Sequence, residues 1–327
     1  MIKSRVTEIL GIEYPVICGA MSWCTDARLC AAISNAGGLG QLAANAGQTE
    51  LTSDPAVTVE RMKAEFEKTL ALTDKPFAVN CMTPNPDIPV TAIFSNPMRD
   101  WLLTEDRAKI IVLSGAPCDE AAEFIRDFKK AGKVCIYRDA NPVASSFKWA
   151  EDAGADIVIA TGIECGGHLS DYRVGLPNIM QIAKEAVSIP VVASGGIVNA
   201  AAVKAVYDLG AEGVYIGTLF LCAEESPVAQ NTKEAIINSD PFDCVEYRGM
   251  SGFMRCIRNE LVEKCEKLTY SGGTRAEISA LYGGGFRTGM RLGDHVNGIV
   301  CISAGVGQIH KIEPVADQIA ELVKGME

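Results

Sequence analysis

The feature that most constrains the fold is a series of eight short apolar runs, rich in β-branched residues, within the first 218 positions. Runs as uniformly apolar as these are typical of strands in a parallel sheet that is buried on both faces. In chain order they are PVICG (15–19), LGQLAA (39–44), FAVNCM (77–82), KIIVLSG (109–115), KVCIYRD (133–139), DIVIATG (156–162), PVVASGG (190–196) and GVYIGT (213–218).

The segments between these runs have the periodicity of amphipathic helices, as in DEAAEFIRDFKKAG and AAAVKAVYDLG. Several of them end on a glycine, which supplies the left-handed residue that terminates a helix before the next strand. Eight strand–helix alternations favour a closed barrel over an open doubly wound sheet, which more often has about five to seven strands. The sequence therefore predicts an α/β fold, a (β/α)8 TIM barrel.

The alternation stops after the eighth run. Residues 224–300 contain two stretches predicted to be helical, VAQNTKEAIINS and FMRCIRNELVEKCEKL, and the glycine-rich segment LYGGGFRTG. We expect residues 1–223 and 301–327 to form the barrel, with EPVADQIAELVKG as its last outer helix. Residues 224–300 are then a helical insertion or cap over the barrel mouth.

Charge and composition narrow the partners. A formal net charge of −11 disfavours nucleic acid and anionic membrane surfaces, which require clustered Lys and Arg. No run approaches the roughly 18 apolar residues of a membrane helix, and MIKSRVTEILGIEYP lacks the core of a signal peptide. The twelve cysteines contain no CxxC pair, so we expect reduced thiols and no metal site. These features predict a cytoplasmic protein that acts on a small molecule.

In a (β/α)8 barrel, residues at the carboxyl ends of the strands face the active site. Paired glycines after the seventh run and Gly-Thr after the eighth are suited to a cofactor phosphate, because bare backbone N–H groups can approach an anion there. The alternative for the paired glycines is a tight turn, and each asparagine could equally be a turn residue. The residues placed at these ends are Gly19, Ala20, Met21, Asn45, Asn80, Glu164, Gly166, Gly167, Ser194, Gly195, Gly196, Gly217 and Thr218.

His168 is the candidate catalytic residue. It follows two glycines at the end of the sixth strand, where an imidazole can reach the barrel mouth and transfer protons. A lone histidine is more often structural, and we assign that role, or a surface position, to His295 and His310.

At these positions the chain resembles the FMN-dependent family that contains nitronate monooxygenases (2-nitropropane dioxygenases), enoyl-ACP reductase II and related NAD(P)H:quinone reductases. The motifs that carry the resemblance are YPVICGAMSW, ISNAGGLG, PFAVNCM, GIECGGH, IPVVASGGI, LGAEGVYIGTLF and SAGVGQI. The resemblance implies that His168 lies near the flavin and that the late loop with Ser303, Gly305 and Gln308 reaches it. It also implies that FMN is held by the segments with Gly19 to Met21, Asn80, Gly166-Gly167, Gly195-Gly196 and Gly217-Thr218. From their places at the strand ends, Asn45, Glu164 and Ser194 are predicted to bind the cofactor as well.

The resemblance implies one of two reactions. A nitronate monooxygenase oxidises a nitronate with FMN and O2, and its histidine abstracts the α-proton if the neutral nitroalkane is used. An enoyl-ACP reductase or quinone reductase uses NADH or NADPH as co-substrate. The loop from His168 to Arg173 is longer and more polar than the family pattern, and we expect it to reshape the substrate pocket.

Two sequence features bear on the choice between these reactions and on partners. No G-x-G-x-x-G follows a strand, so a Rossmann nicotinamide site is not expected. An acyl-carrier protein would need a basic patch, but Arg255, Arg258, Lys264 and Lys267 are interleaved with glutamates. A barrel that binds a phosphorylated ligand without redox chemistry is an alternative of another class, and a homodimer is left open.

Overall fold

A computed structural model of the protein describes residues 2–250 and 252–326, and in it the eight predicted strands form one parallel sheet. Neighbours in this sheet follow the order β1-β9-β8-β6-β5-β4-β3-β2. The sheet closes where Cys18 N donates to Leu39 O (2.9 Å) and Leu39 N donates to Val16 O (2.8 Å). The predicted barrel is therefore confirmed. Its strands are β1 Val16–Cys18, β2 Gly40–Leu42, β3 Phe77–Met82, β4 Ile110–Ser114, β5 Val134–Arg138, β6 Ile157–Thr161, β8 Val191–Ser194 and β9 Gly213–Ile216, while β7 (Gly167–Leu169) lies outside the barrel sheet.

Helices follow the barrel strands as the sequence predicted. Several begin at a side chain that accepts a backbone N–H, as Asp26 does from Leu29 and Asn199 does from Ala202. No helix of the described residues is long and apolar enough to cross a membrane. The helices are α1 Arg5–Leu10, α2 Ala27–Asn35, α3 Pro55–Leu72, α4 Val90–Thr104, α5 Asp119–Lys130, α6 Ala144–Ala153, α7 Leu176–Ala186, α8 Ala200–Asp208, α9 Thr218–Leu221, α10 Gln230–Ile237, α11 Glu260–Tyr270, α12 Arg275–Leu281 and α13 Val315–Val323.

The barrel strands are buried on both faces, which accounts for their uniformly apolar sequences. Ile17, Ile136 and Ile159 belong to the cluster inside the barrel. Their neighbours along the chain, including Cys18 and Val158, belong to the layer between sheet and helices. Adjacent residues of a strand point to opposite faces, so both positions must be apolar.

The segment after the barrel contains an antiparallel hairpin as well as helices. β10 (Cys244–Arg248) pairs with β11 (Phe253–Ile257), and β11 pairs with β7. The helical prediction for FMRCIRNELVEKCEKL was wrong over Phe253–Ile257 and correct over α11. The physical reason is the period of two: Met254 and Cys256 are fully buried, while Phe253, Arg255 and Ile257 are partly exposed.

This segment has a small apolar core of its own, and its boundaries as a unit stay a prediction. The core joins the hairpin, two helices and the chain at Ile299 and Cys301. The pairing of β11 with β7 places the insertion beside His168 at the barrel mouth.

Candidate active site

A cavity of about 420 Å³ lies at the carboxyl ends of the barrel strands. Its volume is within the range of ligand-binding sites. Its walls come from loops that are far apart in sequence and are brought together by closure of the barrel. The predicted site residues that line it are Gly19, Ala20, Met21, Asn45, Gly166, Gly167, His168, Ser194, Gly195, Gly196, Gly217, Thr218 and Ser303.

The loop between β8 and α8 has the conformation of an anion cradle. Gly195 and Gly196 have φ of 124° and 68°, a region that favours glycine. A Cβ at Gly195 would lie 3.1 Å from Gly162 O, and one at Gly196 would lie 3.1 Å from Glu164 Cβ. Their backbone N–H groups donate no hydrogen bond to any described residue and remain available to a ligand.

The late segment around Ser303 packs onto this loop. Ser303 N donates to Thr218 Oγ1 (2.9 Å), and Ala304 N donates to Glu164 O (2.9 Å). A side chain at Gly305 would collide with Gly196 O, so glycine permits the close approach. The Oγ of Ser303 is buried and has no partner among the described residues, which indicates a ligand atom as its partner.

His168 projects from β7 into the cavity wall. Met254 of β11 lies opposite His168 in the sheet. The imidazole ring stacks on the ring of Phe286, with the two centroids 6.4 Å apart and an angle of 13° between the planes. Its ring nitrogens make no hydrogen bond to the described residues. Burial, together with the positive charge of Arg138, lowers the pKa of His168 to about 4. The imidazole is therefore neutral at physiological pH.

Sequence reasoning missed Arg138, which ends β5 and lines the cavity. Its Nε donates to Thr161 Oγ1 (3.3 Å), and no carboxylate of the described residues forms a salt bridge with it. An unpaired cation in a cavity attracts an anionic ligand. The strand-end rule applied to KVCIYRD would have found it, because the arginine directly follows the apolar part of the run.

Tyr215 on β9 was also missed. Its hydroxyl accepts a hydrogen bond from Ala20 N (2.6 Å) and donates to Gln41 Oε1 at 3.4 Å. Burial raises the pKa of Tyr215 to about 12, so the phenol stays protonated. It holds the β1 loop in place at the floor of the cavity.

The remaining cavity walls are mostly apolar, and part of them comes from the insertion. No strand-end rule could have found the insertion residues Phe286 and Met290, because only the tertiary fold brings them to the mouth. The missed wall residues are Ser22, Trp23, Cys24, Ala44, Met82, Cys165, Ile197, Leu221, Phe286, Met290 and Cys301.

Four predicted residues do not line the cavity. Asn80 Nδ2 donates to Val112 O (2.9 Å) and Ser114 Oγ (3.0 Å). The Glu164 carboxylate accepts from Leu176 N at the start of α7, and Gln308 accepts from Asn199. Gly305 packs against Gly196 O in the β8–α8 loop. Their roles in cofactor binding stay predictions.

The fold and cavity together define a (β/α)8-barrel enzyme whose active site lies at the strand ends. The family model of nitronate monooxygenases matches residues 3–325. A probable nitronate monooxygenase of Staphylococcus aureus (strain MSSA476) is 31% identical over 295 residues, which cover 80% of this chain and 80% of the relative. The chain belongs to the nitronate monooxygenase family and is an FMN-dependent oxidoreductase.

Solved structures share the fold of this chain. FabK from Thermotoga maritima superposes with a TM-score of 0.85 at 28% identity, covering 99% of this chain and 96% of that chain. A nitroalkane oxidase from Streptomyces ansochromogenes has a TM-score of 0.79 at 23% identity, covering 99% of both chains. At that lower identity the likeness establishes the shared fold.

Proposed function

We propose that the protein oxidises small nitronates, with FMN as its cofactor and O2 as co-substrate. The observation that carries this proposal is that one cavity holds a neutral His168, whose ring nitrogens have no hydrogen-bond partner among the described residues, and Arg138, which forms no salt bridge with a described carboxylate. A nitronate is a small anion that needs a compensating positive charge and hydrogen-bond donors, and these two residues supply both.

The chain fits FMN at the cavity. The free N–H groups of Gly195 and Gly196 suit the phosphate, and Ser303 Oγ is a buried hydroxyl in need of a partner. When bound, FMN supplies the electron-accepting ring system that no amino acid side chain provides. Met21 and Leu221 give this part of the cavity an apolar wall, which limits the water that can reach the reacting atoms.

His168 supports two roles that differ with the substrate. Towards a preformed nitronate, its neutral ring donates one N–H hydrogen bond to the anion, and no proton has to be moved. Towards a neutral nitroalkane, the unprotonated ring nitrogen accepts the α-proton. Because its pKa of about 4 makes it a weak base, the preformed nitronate is the better substrate.

A second candidate function is reduction of an enoyl thioester with NADH or NADPH, favoured by the similarity to FabK over 99% of the chain. The structure offers little support for docking of an acyl-carrier protein near β11. Arg255 pairs with Glu246 and donates to Ile163 O (2.8 Å) and Cys165 O (2.9 Å), so it holds the insertion to the barrel. Arg258 pairs with Glu263.

Stopped-flow flavin spectra distinguish the two functions. The purified holoenzyme is mixed anaerobically with propyl-2-nitronate, NADH or NADPH in turn, and aerobic turnover is followed by release of nitrite. The proposal expects bleaching by the nitronate and nitrite release in air. Fast bleaching by a nicotinamide, with none by the nitronate, would replace the proposal with the reductase. Bleaching by neither the nitronate nor a nicotinamide would overturn both functions.

A further inference from the structure

Two thiols face each other where the insertion meets the cavity wall. Cys256 lies on β11, and Cys301 lies in the chain that returns from the insertion to the late loop. Their Sγ atoms are 3.5 Å apart, although 45 positions separate them in sequence. Neither thiol takes part in the proposed oxidation.

The backbone pairing of the two cysteines is compatible with a disulfide. They form an antiparallel bridge, flanked by hydrogen bonds from Ile257 N to Val300 O (2.8 Å) and from Ile302 N to Arg255 O (3.4 Å). Because these two hydrogen bonds are made by the residues next to the cysteines, Cys256 and Cys301 are a non-hydrogen-bonded pair of the antiparallel type. In such pairs the Cα atoms are typically about 4.5 Å apart. This separation is within the range of about 4.4 to 6.8 Å seen in disulfides.

The two thiols differ in access to small molecules. Cys301 lines the cavity and retains 8% of its surface exposed, whereas Cys256 is fully buried behind it. A small oxidant that enters the cavity meets Cys301 first, and Cys256 is already in place to react with the oxidised sulfur. Cys265 is buried in the same cluster but has no thiol within hydrogen-bond distance, which makes it a matched control.

We propose that Cys256 and Cys301 form a redox-responsive cross-link between the insertion and the wall of the active-site cavity. Hydrogen peroxide is the oxidant. Burial raises the pKa of the Cys301 thiol, so its proton leaves as the sulfur attacks one peroxide oxygen. An S–O bond forms, the O–O bond breaks, and the departing hydroxide takes up that proton, which gives a sulfenic acid and water. The Cys256 thiol then displaces the sulfenic hydroxyl as water, so two thiols lose two electrons and two protons while peroxide becomes two water molecules.

The cross-link would act on the residues that shape the site. Cys256 is two residues from Met254, which lies opposite His168, and Cys301 is two residues from Ser303. A disulfide between the two cysteines joins β11, the strand beside His168, to the segment that carries Ser303. The insertion is then held covalently over the cavity, and a thiol reductant releases it.

Mass spectrometry tests the proposal on the intact protein. Purified protein is treated with hydrogen peroxide, alkylated in denaturant and compared with an untreated sample. The expected result is a mass roughly 2 Da lower before alkylation and two fewer alkylated cysteines of the twelve, both reversed by dithiothreitol. Trypsin should yield the peptide 256–258 linked to 292–311, because Arg255, Arg258, Arg291 and Lys311 are cleavage sites.

Variants separate this pair from its neighbours. Cys256→Ala and Cys301→Ala should each abolish the linked peptide, whereas Cys265→Ser should retain it. Three results would overturn the proposal: twelve alkylated cysteines after peroxide, a disulfide from Cys301 to Cys24 or Cys165, or oxidation of Cys301 to a sulfinic acid with Cys256 unmodified.

Discussion

At the scale of single residues, chemistry depends on the protonation state of His168. The ring is packed against Phe286 and lies in the field of Arg138, and both its burial and that charge favour the neutral form. It therefore enters the reaction with one N–H donor and one free lone pair.

We expect His168→Asn to separate the two roles of the histidine. Asparagine retains a hydrogen-bond donor but provides no base, so kcat/KM for a neutral nitroalkane should fall about 10²- to 10⁴-fold. For the preformed nitronate the loss should stay below about tenfold, since only one hydrogen bond is altered. Steady-state kinetics with both substrates measure the two losses, and the flavin content should be unchanged.

His310→Asn is the matched control, because His310 is exposed and lies outside the cavity. It should leave both rates unchanged. Equal losses for nitroalkane and nitronate in His168→Asn would show that the histidine does not act as a base.

Arg138→Met should move the acid limb of the pH profile of kcat/KM towards higher pH. Protonation of His168 removes the base, so kcat/KM for a nitroalkane falls as the pH drops through its pKa, near 4 in the wild type. Without the cation that pKa rises part of the way to 6.5, because burial, the larger cause, remains. Arg126→Met, at an exposed position of α5, is the control. An unshifted acid limb in Arg138→Met would contradict the assignment.

At the scale of elements, the loop after β8 depends on glycine. Gly195→Ala would place a Cβ 3.1 Å from Gly162 O at a φ of 124°, a conformation that costs about 1 to 3 kcal/mol for other residues. We expect FMN affinity to fall about ten- to hundredfold, measured by flavin titration of the apoprotein. Gly132→Ala, at a φ of 72° with no atom within 4 Å of the added Cβ, is the control and should retain FMN affinity.

The strands of the insertion are harder to predict from the sequence than the strands of the barrel. Four of the five residues of Phe253–Ile257 are apolar, so the sequence alone does not show the alternation of buried and partly exposed positions that the structure has. Its pairing with β7 decides the matter, and that partner lies more than eighty residues away in the chain. A local reading of FMRCIRNELVEKCEKL could not include it.

At the scale of the whole molecule, cofactor binding should stabilise the fold, because the cavity is built from both barrel and insertion. FMN at a hundred times its Kd should add about 2.7 kcal/mol to the free energy of unfolding. For a chain of this length, that corresponds to a rise in Tm of about 4 °C. Riboflavin at the same concentration, which lacks the phosphate, should give a smaller rise if the glycine loop binds that group. Equal shifts in differential scanning fluorimetry would place the phosphate elsewhere.

Several site residues were accessible to sequence reasoning for a physical reason. The glycines after β6, β8 and β9 and the histidine that follows Gly166-Gly167 occupy strand ends, and strand ends of a parallel barrel always meet at one mouth. Asn80 shows the limit of this rule. It lies at the correct end of β3, yet its amide bonds to β4 and does not reach the cavity.

The sequence by itself determined the barrel, because eight apolar runs buried on both faces admit few other arrangements, and it determined the loops that meet at the mouth. Only the tertiary structure decided what completes the site. The stacking of Phe286 on His168 and the contact of Cys256 with Cys301 depend on how the insertion packs on the barrel. Only the folded chain shows that Arg138 lines the cavity without a carboxylate partner among the described residues. Local periodicity reports which face of an element is buried, but not which distant residue covers it.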